Sequence, residues 1–176
     1  MSAVVALSLG MLAAACSPTF NWRDAPVGDE GLMALLPCKP DRATREMPLG
    51  AGGAAVKVDM AGCEAGGATF AVAHAVANDT DQATAWLDAW QRATRTQLST
   101  DGVTETAVQV LNAVGNPAPR RIDTAAHARG ERGAGTHVLW FAQLRGGKVS
   151  LYQATVLGQP SADDAVATFF EGLRLP

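Results

Sequence analysis

Apolar and polar positions alternate most cleanly over Ala54–Met60, AAVKVDM, where Val56, Val58 and Met60 point one way and Lys57 and Asp59 the other. That period of two predicts a half-buried strand. TFAVAHAV over 69–76 repeats the pattern, with Phe70, Val72, His74 and Val76 on one face and Thr69, Ala71, Ala73 and Ala75 on the other. A face of alanines lets a neighbouring element come close. The period then changes, since Ala83, Trp86, Leu87, Trp90, Ala93, Thr94 and Leu98 recur at spacings of three and four behind the capping candidates Asn78, Asp79 and Thr80. A long amphipathic helix is predicted, with Trp86 and Trp90 one turn apart on the same face. Burial against a sheet is the expected role of the pair, ahead of a ligand platform.

The remaining elements follow the same logic. Gly31–Pro37, GLMALLP, is an apolar run between breakers and predicts the first strand. SPTFNWRDAPVGDEG, before it, keeps no period and reads as a tether with Phe20 and Trp22 docking its end. CKPDRATREMPLGAGG, after it, reads as a long connection. Beyond the helix, Val108–Leu111 predicts a short strand and Arg120–His127 a polar edge strand, while HVLWFAQL and VSLYQATVL are apolar on both faces. Strands of that last kind are covered on both sides. Arg145-Gly146-Gly147-Lys148 predicts a tight hairpin. Ser161 and Asp164 resemble a capping box ahead of a final helix with the stripe Val166, Phe169, Phe170 and Leu173. The expected fold class is α+β, an antiparallel sheet of about six or seven strands with helices on both faces, an α/β/α sandwich.

The LPCKP segment closing the first strand, the Gly-rich hairpin leading to TFAVAHA, the central helix, and LYQATVLG followed by AVATFFEGLRL resemble the PsbP-like or Mog-like α/β/α sandwich group. More closely, they resemble small proteobacterial lipoproteins of that type, over about residues 20–176. Proteins of the wider group serve as extrinsic subunits of photosynthetic complexes or bind a small GTPase, so the resemblance implies an adaptor or assembly role. It carries over no active-site residue, because the matched positions are core patterns.

The N-terminal stretch changes the picture. Ala3–Ala15 is apolar or small throughout, ends in three alanines before Cys16, and no charge appears until Arg23. A bilayer span needs about 20 apolar residues; this length fits the core of a secretory signal with small residues at its cleavage point. The cysteine resembles that of a lipobox, whose thiol receives a diacylglyceryl group, although Leu12 lies one position further from Cys16 than the leucine of that motif. An ordinary signal peptide cleaved near Ala15, or a buried helix, is the alternative. The expected organisation is a signal peptide over 1–15, lipidated Cys16 with a tether over 16–30, and a single globular domain over 31–176. Ser17 after the cysteine points to the outer membrane, with the domain facing the periplasm.

Charge and candidate chemistry narrow the function classes. The net charge is −3, and no basic stripe of the kind nucleic acid requires is present. Cys38 and Cys63 lack the spacing of a zinc site or redox dithiol and, in an exported chain, predict a disulfide. There is no GxSxG, HExxH or P-loop, and the glycine clusters GAGG, AGG and RGERGAG read as turns. No catalytic residue and no cofactor is expected. A hairpin centred on GERG would set His127 opposite His137, either a polar cross-strand pair or two ligands of a weak metal site. His74 is expected in the core with a hydrogen-bond partner, and Arg120–Arg121 on a solvated edge. The expectation is a lipid-anchored, non-enzymatic envelope protein with a binding or assembly role toward another envelope protein. The alternative is a periplasmic carrier of a small ligand or metal in a cleft between sheet and helix, lined by Trp86 or Trp90.

Overall fold

A computed structural model describes residues 18–50, 53–98, 102–124 and 135–176. The chain forms β1 (Arg23–Val27), β2 (Leu32–Leu36), β3 (Asp41–Pro48), β4 (Ala55–Ala65) and β5 (Ala68–Ala77) before α1 (Thr80–Gln97). It continues with β6 (Val103–Ala107), β7 (Arg120–Thr124), β8 (Thr136–Arg145), β9 (Lys148–Gly158), α2 (Ala165–Glu171) and β10 (Leu173–Arg174). Seven antiparallel strands make the main sheet in the order β3-β4-β5-β9-β8-β7-β6, and a smaller sheet has the order β1-β2-β10.

The α/β/α sandwich expected from the sequence does not form. Strands take half of the described residues and helices 17%, and the fold is β-rich. One face of the main sheet carries α1, which packs on β5 and β9; the other is covered by the small sheet, with α2 against β2 and β10. The difference arises in two segments whose strands carry no readable hydrophobic period. In β1, Ala25 and Val27 are buried and Pro26 exposed, and Pro26 is tolerated because β1 is an edge strand with one unpaired side. The stretch read as a tether over 16–30 thus contains a strand, and Phe20 and Trp22 edge onto Phe70 at 6.5 and 6.1 Å. All eight residues of β3 are exposed, and backbone pairing to β4 defines it. Its charges suit an edge that must not recruit another chain.

Two further expectations shift. The strand predicted at Val108–Leu111 lies earlier, over Val103–Ala107, while Val108 and Val110 leave the sheet and pack beside the small-sheet core. Their alternation reflects burial without pairing. Because β6 pairs with β7, the Arg120 strand is not an edge. The predicted hairpin at Arg145–Lys148, the first strand and the pair β4–β5 form where the pattern placed them.

At the start of α1, Asp79 Oδ1 accepts the Gln82 backbone N–H at 2.8 Å, and Gln82 Oε1 accepts that of Asn78 at 2.8 Å. This reciprocal cap satisfies donors the first turn cannot pair. The box expected at α2 is absent: Asp164 caps without a side-chain bond, and the Ser161 N–H goes to the Gly66 carbonyl at 2.8 Å. Two cores result. Phe70, Phe141, Tyr152 and Val156 meet Leu32, Leu36 and Phe169 between the sheets; Val58, Trp140 and Leu151 meet Leu87 and Trp90 beneath α1.

Candidate functional site

The helical stripe buries Ala83, Leu87 and Trp90 against the sheet, and Trp86 is half-buried, so both tryptophans join the core beneath α1. Where α1 runs past the end of β3, the two elements separate into a cleft of ≈ 320 Å³. Met47, Leu49, Ala89, Trp90 and Ala93 give it an apolar floor, and Thr94, Gln97 and Gln153 bring hydroxyl and amide groups to it. Gln153 is held by register: it stands opposite Trp140 across β8–β9, and its Oε1 accepts from Trp140 Nε1 at 2.8 Å and from Thr94 Oγ1 at 3.2 Å. Its Nε2 donates to Thr155 Oγ1 at 3.3 Å. Among the described residues, no Asp, Glu, Lys or Arg lines the cleft. A site of this make-up favours an uncharged ligand with an apolar body.

The opposite face holds a second group of polar side chains that sequence reasoning placed only in part. His74 is buried, but the hydrogen-bond partner expected for it is absent among the described residues: neither Nδ1 nor Nε2 has one. Its ring stacks on Tyr152 with centroids 4.9 Å apart, and Phe141 stacks on the other side of Tyr152 at 5.0 Å. The register dictates this ladder, since His74, Tyr152 and Phe141 stand opposite one another on β5, β9 and β8. Burial holds the imidazole below the usual histidine value despite the carboxylates of Asp59, Glu30 and Asp29 nearby. The same burial pushes the Tyr152 phenol up to about 12. Asp29, Glu30, Lys57 and Asp59 line, together with His74 itself, a cleft of ≈ 180 Å³, where Lys57 Nζ pairs with Asp59 at 3.1 Å.

Of the histidine pair expected at 127 and 137, only His137 lies among the described residues. The β7–β8 register sets Asp123 opposite His137, and His137 Nδ1 lies 2.6 Å from Asp123 Oδ1. Residue 127 lies outside the described residues. Arg121 donates to the same Asp123 oxygen through Nε at 3.0 Å and Nη2 at 2.8 Å, and its guanidinium lies 4.7 Å from the centre of the Phe170 ring. Burial raises the Asp123 carboxyl, but the bonds from Arg121 and His137 outweigh it and hold the group below the ordinary aspartate value. Arg120 instead pairs with Glu105 at 2.9 Å. Among the described residues, no three His, Cys, Asp or Glu side chains stand together as metal ligands.

Cys38 and Cys63 form the expected disulfide, with their Cα atoms 6.0 Å apart. Cys16 lies outside the described residues, and no described helix is long and apolar enough to cross a membrane. No family model and no curated protein sequence matches the chain.

The residues missing from the sequence reading are Gln153, Gln97 and the Met47–Gly50 rim, while Thr94 was read only as part of the helical stripe. Pairing of a fully exposed strand sets the position of the rim, and nothing in the local pattern signals it. The signal for Gln153 was present: it is an amide on the α1-facing side of a strand whose central residues are mostly apolar on both faces.

Proposed function

We propose that this chain is a lipid-anchored protein of the cell envelope with a non-catalytic binding role, and that it binds a small uncharged molecule in the cleft between α1 and the main sheet. The anchor rests on the apolar stretch ahead of Cys16, and the disulfide suits an oxidising compartment. One observation carries the ligand: an apolar floor at Trp90 meets the uncharged polar groups of Thr94, Gln97 and Gln153 in a volume within the usual range of small-molecule sites. Titration with a neutral aromatic amide such as N-phenylacetamide, followed by protein fluorescence, tests it. Saturable binding should be lost in Ala93→Phe, which fills the cleft from an exposed helix position. Equal response of both proteins would remove the cleft from the reading.

A second reading, docking of another envelope protein, is favoured by a different surface. Leu111, 85% exposed, stands beside a groove lined by Val108, Val110, Phe170 and Leu173 and rimmed by Arg121. Exposed apolar surface of this kind marks interaction sites. A protein recovered with the wild type from detergent-solubilised membranes and lost with Leu111→Asp would support assembly; a partner retained by that variant would count against this groove.

A further inference from the structure

His74 lies under the turn between β1 and β2, with both ring nitrogens shut off from solvent although the residue borders the adjoining cleft of Asp29, Glu30, Lys57 and Asp59. Tyr152 covers one face of its ring. Gly28 covers the Nδ1 edge so closely that a Cβ on Gly28 would fall 2.1 Å from Nδ1, and Gly28 holds φ +64° in doing so. The turn is pinned at both shoulders: Arg42 donates to the Pro26 carbonyl at 2.6 Å, and Arg145 to the Glu30 carbonyl at 2.8 Å. Both ring nitrogens are without a partner among the described residues, although the residue is 2% exposed. Neutral imidazole leaves one N–H donor and one acceptor unpaired there, a cost that carries no charge with it.

Imidazolium does not tolerate the lack of partners. It carries two N–H donors and a charge, and an unpaired buried charge is among the most costly features a fold can hold. The charged groups nearest His74 are Asp29 and Glu30 on the turn and Lys57 and Asp59 on β4; β9 contributes the Tyr152 phenol. The Asp29 and Glu30 carboxylates accept no hydrogen bond and form no ion pair among the described residues, whereas Asp59 already has Thr44 at 2.6 Å and Lys57. A charged His74 would therefore gain most by bringing both N–H groups to water and those two carboxylates, and for the Nδ1 edge that requires Gly28 to lift. We propose that His74 is an acid-operated latch, whose protonation opens the β1–β2 turn.

The direction in pH follows from the buried state. The closed turn binds the proton more weakly than the open one, so opening is proton-linked only below the ordinary histidine value of 6.5. Between there and the lowered closed-state value, the opening equilibrium rises about tenfold for each unit the pH falls. Above 6.5 the latch stays shut. The turn joins β1, the strand nearest the N-terminal stretch, so opening would loosen the start of the domain while the central strands stay paired.

Hydrogen exchange on the purified full-length chain tests this, with rates corrected for the intrinsic effect of pH. Between pH 7.5 and pH 5, amides of Val27–Gly31 should lose at least about tenfold protection relative to those of β8 and β9. His74→Phe keeps a ring on Tyr152 without a titrating group and should abolish that dependence. Unchanged turn protection in the wild type, or the same loss in the variant, overturns the latch. Should the variant not fold, the wild type decides alone by NMR: the His74 ring should gain charge with the same midpoint as the loss of turn protection. A ring that protonates under a still-protected turn overturns it equally.

Discussion

Gly28 and Gly146 share a left-handed backbone, with φ of +64° and +57°, yet their surroundings separate what a methyl group would do at each. At Gly146 an added Cβ meets nothing within 4 Å, so Gly146→Ala bears only the conformational cost, about 1 kcal/mol. At Gly28 the Cβ would strike the imidazole of a buried residue, and moving that ring means breaking its stack on Tyr152. Gly28→Ala should destabilise by about 3 kcal/mol or more. Urea midpoints of the two variants check this, and equal losses would show that the turn does not press on His74. Asp123 has its own pH signature. Its folded-state pKa lies below 3.8, so its contribution is complete above that value and is lost as the pH falls through the lowered one. Asp123→Asn should be less stable near neutrality by about 1 kcal/mol. The gap should close in the acid range below pH 3.8, which melting curves at stepped pH would reveal.

Between elements, the disulfide does what neither core can do alone. Cys38 follows β2 in the small sheet and Cys63 lies in β4 of the main one, so the bond fastens the two sheets together across a sequence separation of 25. Replacing both by serine should cost about 3 kcal/mol, mainly through a less restricted unfolded chain. A shift in the denaturation midpoint worth under about 1 kcal/mol would mean that residual structure in the unfolded chain already supplies the restriction. The pairing was legible because two cysteines without zinc spacing leave one bond to make. So were β4, β5, β8, β9 and α1, whose burial on a fixed side imposes a period of two or 3.6. β3 and β1 were not: Asp41–Pro48 buries nothing, and Pro26 masks the alternation of Ala25 and Val27. Hydrophobic pattern reports burial and is blind to strands held by backbone pairing. Misreading them turned β1 of the second sheet into a tether and β3, an edge of the main sheet, into a loop, and the face that the second sheet covers was then assigned to helices. The α1 cleft was legible only as a tryptophan-bearing helix face, because its other wall is β3 and the turn that follows.

For the molecule as a whole, the remaining question is how the domain is held. A lipid attached through Cys16 would supply two acyl chains, enough for stable anchoring where a single chain gives only reversible binding. With β1 beginning at Arg23, the connection from Cys16 to the first strand is short, and the domain would sit close to the membrane surface. Only a few residues would then separate the headgroups from Phe20 and Trp22, which stack with centroids 5.9 Å apart and edge onto Phe70. Cys16→Ala should move the protein from the membrane fraction to the soluble one, while the wild type stays with membranes through a high-salt wash. Mass spectrometry of the N-terminus separates the competing explanations. A diacylated cysteine at the first position supports the anchor, whereas an unmodified terminus at Cys16 in a soluble wild type would show ordinary signal cleavage after Ala15. A Cys16→Ala protein that remained in salt-washed membranes would place the attachment elsewhere, with the exposed groove beside Leu111 as the first surface to test.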